Sequence, residues 1–216
     1  MKNVFKISFL LTTLILLGHE AKCQDYYVND NHYQYTITVN PSLPDFVFYV
    51  FLDTSDVPLR IEIRHSGSDS ILQTIKLSDE DPHKYSSTTF YTEDMNFDGY
   101  RDILWMYNFG SAEEQFHVRL YDPQSGLFRY DPQFDELWDP QTNPARKTIT
   151  SVCVEGYESS KKKTYRIEKG LLVLLRTERK IYIDEVNGNK RWERIIELYK
   201  HNKLKSIKVD TLKEEE

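Results

Sequence analysis

The chain has 216 residues, 28 Lys+Arg against 34 Asp+Glu, a formal net charge of -6, and 39% hydrophobic residues. That length can bury a core of one domain, the composition is too apolar for a disordered chain, and the acidic balance excludes tracking the phosphate backbone of nucleic acid. Aromatics make up 13% of the residues, with 15 Tyr and 11 Phe, which favours pleated sheet.

Residues 1–23 open with Lys2 and Lys6, continue through Phe9, Leu10, Leu14 and Leu17, and turn polar after Gly18. This is the layout of a secretory signal peptide, and its apolar run, residues 7–18, is shorter than the ~20 residues of a spanning helix. Cleavage after Cys23 would leave Gln24 at the new N-terminus of a single all-β domain, residues 24–216, with no transmembrane segment after signal removal. The expected location is the periplasm or the exterior. Lipidation of Cys23 is disfavoured, because Glu20, Ala21 and Lys22 do not make a lipobox. With Cys23 removed, Cys153 stands alone and no internal disulfide can form; its surroundings, residues 148–154, read as those of a small buried hydrophobe.

From residue 33 to 39, Tyr33, Tyr35, Ile37 and Val39 alternate with polar residues, the period of a half-buried strand. Residues 46–52 are continuously apolar, as in a strand covered on both faces. Leu59, Ile61 and Ile63 alternate with Arg60, Glu62 and Arg64, and residues 66–70 turn the chain into 71–77, a hairpin. Strands are also expected at 103–107, 115–121, 127–130, 148–154, 164–167, 171–175, 180–186 and 191–199. The turn residues Asp122, Pro123, Gly126 and Asn187, Gly188, Asn189 join pairs of them. Residues 191–199 also fit a short helix, through Trp192, Ile195, Ile196 and Tyr199, but the Asn-Gly turn favours a paired strand. The run Lys161, Lys162, Lys163 reads as a loop, and Glu214, Glu215 and Glu216 as solvated charge. So many strands without helical crossovers predict an all-β fold, antiparallel in a propeller-like or meander arrangement.

One segment carries recognisable chemistry. Residues 94–102 place Asp94, Asn96, Asp98 and Asp102 at positions 1, 3, 5 and 9, with Gly99 at position 6 and the carbonyl of Tyr100 available at position 7. Ca²⁺ takes oxygen ligands, and alternate residues of a sharply turning loop can supply them. The bidentate glutamate of an EF-hand is missing, since Trp105 stands at position 12 and strand-like sequence comes after it. The expectation is one Ca²⁺ held by Asp94, Asn96, Asp98, Tyr100 and Asp102, at an affinity of about 10⁻⁴ M or somewhat tighter, pinning strands together in place of disulfides.

Other chemistry is not indicated. The histidines are scattered without zinc-ligand spacing, and no nucleophile elbow or phosphate-cradling glycine loop occurs. Glu113 and Glu114 near Asp122 could be drawn as an acid/base pair, but adjacent residues on a strand point to opposite faces. The chain therefore reads as no enzyme.

Residues 93–104, then Leu120, Tyr121, Asp122, Pro123 with Gly126, Leu127, Phe128, then Asn143, Pro144 with Lys147, Thr148, Ile149, resemble a family of small exported bacterial proteins. That family includes periplasmic immunity proteins that inhibit a peptidoglycan-cleaving effector delivered by a secretion system. The loop is also similar to the calcium motif of FG-GAP and integrin-type blades. The resemblance spans roughly residues 85–175 and implies a propeller-like fold with a calcium loop at Asp94, Asn96, Asp98, Tyr100 and Asp102. It implies a partner that is a peptidoglycan hydrolase or another exported protein. Gly156 and Tyr157, in a loop before the lysine run, are candidate contact residues, but the reading of Tyr157 as an ordinary loop tyrosine is favoured. A glycan-binding or cell-surface adhesion module is the alternative reading.

Overall fold

The computed structural model describes residues 21–22, 24–29, 32–55, 57–77, 90–109, 113–156, 159–186 and 189–213. The body of the expected leader with Cys23, the turn residues Asn187 and Gly188, Tyr157 and the glutamate tail lie outside them. The described residues contain sixteen strands, all antiparallel where paired, and no α-helix. They begin with β1 (Ala21–Lys22), β2 (Gln24–Asn29), β3 (His32–Ile37), β4 (Phe46–Leu52), β5 (Pro58–His65) and β6 (Ile71–Lys76). Next come β7 (Phe90–Glu93), β8 (Asp102–Phe109), β9 (Glu114–Asp122) and β10 (Leu127–Tyr130). A 3₁₀ turn, Pro132–Phe134, leads to β11 (Gln141–Asn143), β12 (Thr148–Val154), β13 (Ser160–Glu168), β14 (Leu171–Val186), β15 (Asn189–Lys200) and β16 (Lys203–Lys213).

The strands form three meanders, β2-β3-β4-β5-β6, β1-β7-β8-β9-β10 and β11-β12-β13-β14-β15-β16, none of them closed into a barrel. Local sequence explains the connections. Asp122 accepts from the amide of Gln124 and the hydroxyl of Ser125, which folds the β9-β10 turn back on itself and lets Gly126 take its left-handed φ of 71°. Ala21–Lys22, placed by the sequence reading within the leader, pair with Thr92 and Tyr91 of β7.

Alternation on β8 ties the sheets together. Ile103, Trp105 and Tyr107 pack into one cluster with Ile37, Phe46, Phe48, Val50, Ile61 and Ile63 of the first sheet. Leu104 and Met106 pack into a second, with Phe116, Val118, Phe134, Leu137 and Ile149 of β12. β8 is thus covered on both faces, and its residues 103–107 read as an unbroken apolar run. Phe46, Phe48, Tyr121 and Phe128 meet edge to face at centroid distances of 5.2 to 5.8 Å. At the sheet margin Gln73 donates its Nε2 to the carbonyl of Phe128 at 2.7 Å and accepts the Phe128 amide at 2.9 Å. Gln73→Ala should cost about 1–3 kcal/mol in urea denaturation by opening both bonds at once.

Three expectations are corrected by the strand pairing and burial. Lys161, Lys162 and Lys163 are not in a loop but in the first half of β13, each paired across to β12 and β14. The segments 171–175 and 180–186 are one strand, β14, because Arg176, Thr177 and Arg179 continue the ladder to β15. Cys153 is half-buried at the end of β12 rather than a core residue. Residues 191–199 are strand, within β15, as the turn chemistry predicts.

Candidate functional site

The loop between β7 and β8 is built by its own side chains. Acids and amides favour hydrogen bonds to backbone amides a few residues on, and here each does so. Asp94 accepts from the amides of Asp98 and Gly99 at 3.1 and 2.9 Å, Asn96 from Asp98 at 3.0 Å, and Asp98 from Tyr100 at 2.9 Å. Phe97 and Gly99 take φ of 62° and 91°, which reverses the chain. The alternating sequence then sorts itself: Met95 is fully buried and Phe97 packs against the second cluster, while Asp94, Asn96 and Asp98 are less buried and share hydrogen bonds. A Cβ on Gly99 would meet no atom within 4 Å, so the cost of substitution is conformational. Gly99→Ala should lower stability by about 1–2 kcal/mol, seen as a shifted urea midpoint with unchanged slope.

The loop also docks onto the first sheet. Asn40 Nδ2 donates to the carbonyl of Gly99 at 2.8 Å and the Arg101 amide donates to the carbonyl of Val39 at 2.9 Å. Behind it Asp102, the first residue of β8, is completely buried, with one oxygen accepting the Met95 amide at 2.8 Å and the other the Tyr121 amide at 2.9 Å. Burial pushes its pKa up to about 8; the two amides oppose the shift, and the charges of Asp98 and Asp94 add to it. Burial likewise raises Asp94, against the amides of Gly99 and Asp98. Among the described residues no Lys or Arg forms an ion pair with Asp94, Asp98 or Asp102.

The expected ligands therefore divide. Asp94, Asn96 and Asp98 are brought together, joined by Asn96 Nδ2 donating to Asp98 at 2.9 Å, and Tyr100 comes next with its amide turned to Asp98. Asp102 is buried beneath them, its two oxygens each accepting one amide as those of Asp94 do. Among the described residues no group of three or more His, Cys, Asp or Glu is placed to hold a metal ion. The side-chain donor set at the loop is two carboxylates and an amide oxygen, all hard oxygens, each carboxylate oxygen keeping a free lone pair.

A second region leaves no mark in the sequence. A cleft of about 690 Å³ opens between the middle and C-terminal sheets. Asp135 is its hub: His117 Nδ1 lies 3.2 Å from one carboxylate oxygen, the Tyr130 hydroxyl donates to the other, and the Tyr107 hydroxyl donates to its carbonyl at 3.1 Å. Tyr107 stacks on His117 with centroids 4.1 Å apart. Opposite stand Ser151 and Cys153 of β12, with their cross-strand partners Lys163 and Lys161 of β13. Burial raises the pKa of the Cys153 thiol, as do the charges of Glu113 and Glu155, against Lys161 and Lys163.

Glu113, Glu114 and Asp122 are not assembled into a site. The Glu113 carboxylate accepts the Val154 amide, whereas Asp122 caps its own turn at the far end of β9 and pairs with Arg129 at 2.7 Å. Gly156 comes directly after Glu155 with a φ of 93°.

No protein-family model matches the chain, and no curated protein does. Among solved structures it is similar to a Type IV secretion system related protein of Xanthomonas, with a TM-score of 0.54 and 13% identity, covering 85% of this chain and 97% of the other. At that identity the likeness is one of fold, and it extends over nearly all of the neighbour.

Proposed function

We propose that this protein is an exported, non-enzymatic calcium-binding inhibitor that acts on a peptidoglycan hydrolase. The observation that carries the reading is the loop at residues 94–102, where Asp94, Asn96 and Asp98 converge with no basic partner among the described residues. Two carboxylates at about 4 Å and intermediate dielectric repel by up to ~4 kcal/mol before relaxation, and a dication converts that repulsion into attraction. Ca²⁺ suits the all-oxygen donor set and supplies a fixed positive charge at the junction of the first and middle sheets. Asp94, Asn96, Asp98 and Asp102 would hold it, with the Tyr100 carbonyl, Asp102 directly or through water while its amide bonds keep the loop's base in place.

Support for the inhibitor role comes from the sequence resemblance to periplasmic immunity proteins and from a fold shared with a protein related to a bacterial secretion system. Support for a non-enzymatic role comes from the separation of the Glu113 carboxylate, bonded to the Val154 amide, from Asp122 at the far end of β9. The test is lysis of a peptidoglycan suspension by a panel of glycosidase-type hydrolases, each preincubated with the protein. Suppressed lysis by at least one, with the two proteins co-eluting in gel filtration, is the expected result. Undiminished lysis across the panel with no complex would contradict the inhibitor reading and leave the calcium site to be judged by itself.

A further inference from the structure

The cleft between the middle and C-terminal sheets has an acidic side bonded within the protein and a lysine-bearing wall facing it. The Asp135 carboxylate is held by His117 and Tyr130, and its carbonyl by the Tyr107 hydroxyl and by Gln115 Nε2 at 3.3 Å. Glu155 is paired with Lys161 at 3.3 Å, and Ser151 Oγ accepts the Trp138 amide at 2.9 Å. Donors remain on the opposite wall. Lys163 is half-buried in the cleft and forms no ion pair among the described residues; Lys161 keeps N–H bonds beyond the one given to Glu155. Ser151 keeps its own proton to give. At the mouth are ring surfaces, Tyr130 at 36% exposed and Trp138 half-buried, and at the rim the exposed carboxylate of Glu136.

We propose that this cleft binds a saccharide bearing a carboxylate. The ammonium groups of Lys163 and Lys161 take the carboxylate, Ser151 and Glu136 take ring hydroxyls, and Trp138 and Tyr130 lie against the sugar's apolar face. The volume falls within the range of small-molecule sites and exceeds what a bare inorganic anion needs. Asp135, Glu136 and Glu155 in the same lining oppose a phosphate dianion more strongly than a singly charged carboxylate, which Lys163 can match. This inference goes beyond hydrolase inhibition and stands whether or not the loop takes calcium.

The test is titration of the protein with digalacturonate, monitored by calorimetry and by the NMR signal of the Trp138 indole, with cellobiose and acetate as parallel probes. Saturable binding of digalacturonate is expected, moving the Trp138 signal, at least ~tenfold tighter than either other probe. Lys163→Met should weaken it by about tenfold or more with an unchanged melting temperature, and Trp138→Phe should weaken it through the ring contact alone. Cellobiose binding equally well would overturn the role of the lysine wall, and acetate binding equally well would overturn the recognition of a sugar. So would the absence of saturation by about 10 mM digalacturonate, or shifts confined to residues away from the cleft.

Discussion

Asp98→Ala will lower the melting temperature measured in calcium and abolish its dependence on calcium, while the wild-type protein will lose stability only when chelator is added. Binding to the native state alone stabilises by RT ln(1 + [L]/Kd), which at a hundredfold excess over Kd is about 2.7 kcal/mol. For a domain of this size each kcal/mol shifts the midpoint by roughly 2–4 °C, so chelation should move the wild-type transition by about 5–11 °C. The variant loses a carboxylate and the acceptor for the Tyr100 amide, so its loop is less well held even without metal. The diagnostic feature is the calcium-dependent difference. Equal wild-type transitions in chelator and in millimolar calcium would remove the structural role of the ion.

The second large effect belongs to Asp102. Its two oxygens hold the buried amides of Met95 and Tyr121, which lie on either side of the β8 strand start, and so join the 94–102 loop to β9. Asp102→Ala leaves both amides without their acceptor and opens a void, a combination worth about 3–5 kcal/mol in urea denaturation. The wild-type carboxyl also makes the metal-free protein sensitive to pH. Its pKa is about 8 in the folded chain against 3.8 ordinarily, so between these values the native state holds a proton that the unfolded chain has released. Stability from this group is full below about pH 4 and is lost as pH rises towards 8. The metal-free protein should therefore be less stable at pH 8 than at pH 5.5, by ~2–3 kcal/mol after relaxation of the buried site is allowed for. Calcium, whose charge favours the ionised acids, should flatten that slope. A metal-free protein that gains stability from pH 5.5 to pH 8 would contradict the assignment.

How legible each feature is in the sequence depends on the range over which its signal acts. The strands β4, β10 and β12 have the expected bounds because their apolar runs end at strong turn residues such as Pro44 and Gly126. The calcium-type loop is legible because its oxygen donors are contiguous and alternate with Met95 and Phe97, a pattern the structure sorts into rim and core. The lysine run misleads because composition alone suggests a loop. In β13 its period of two sends Lys161 and Lys163 into the cleft and leaves Lys162 exposed, an arrangement that only the pairing with Ser151 and Cys153 makes visible. β16 escapes a sequence reading for a related reason: Lys203, Lys205 and Lys208 interrupt its apolar residues, and nearly all of it is exposed.

The cleft lies beyond sequence reasoning for a different cause. Its hub, Asp135, sits just past a 3₁₀ turn capped by Asp131, whose side chain accepts the Gln133 amide, and it meets His117 from 18 residues earlier in the chain. No local periodicity records such a meeting. The useful local signal is the Asp-Pro pair at residues 131–132, which marks a structured turn directly after β10 and sets Phe134 and Asp135 beside the sheet.

Calorimetric titration of calcium into the metal-free, full-length protein is the most direct measurement. One site per chain with a Kd of about 10⁻⁴ M or tighter, lost in Asp98→Ala, is the predicted result. No saturable heat at millimolar calcium, or an identical isotherm for the variant, would contradict a calcium ion held by Asp94, Asn96 and Asp98.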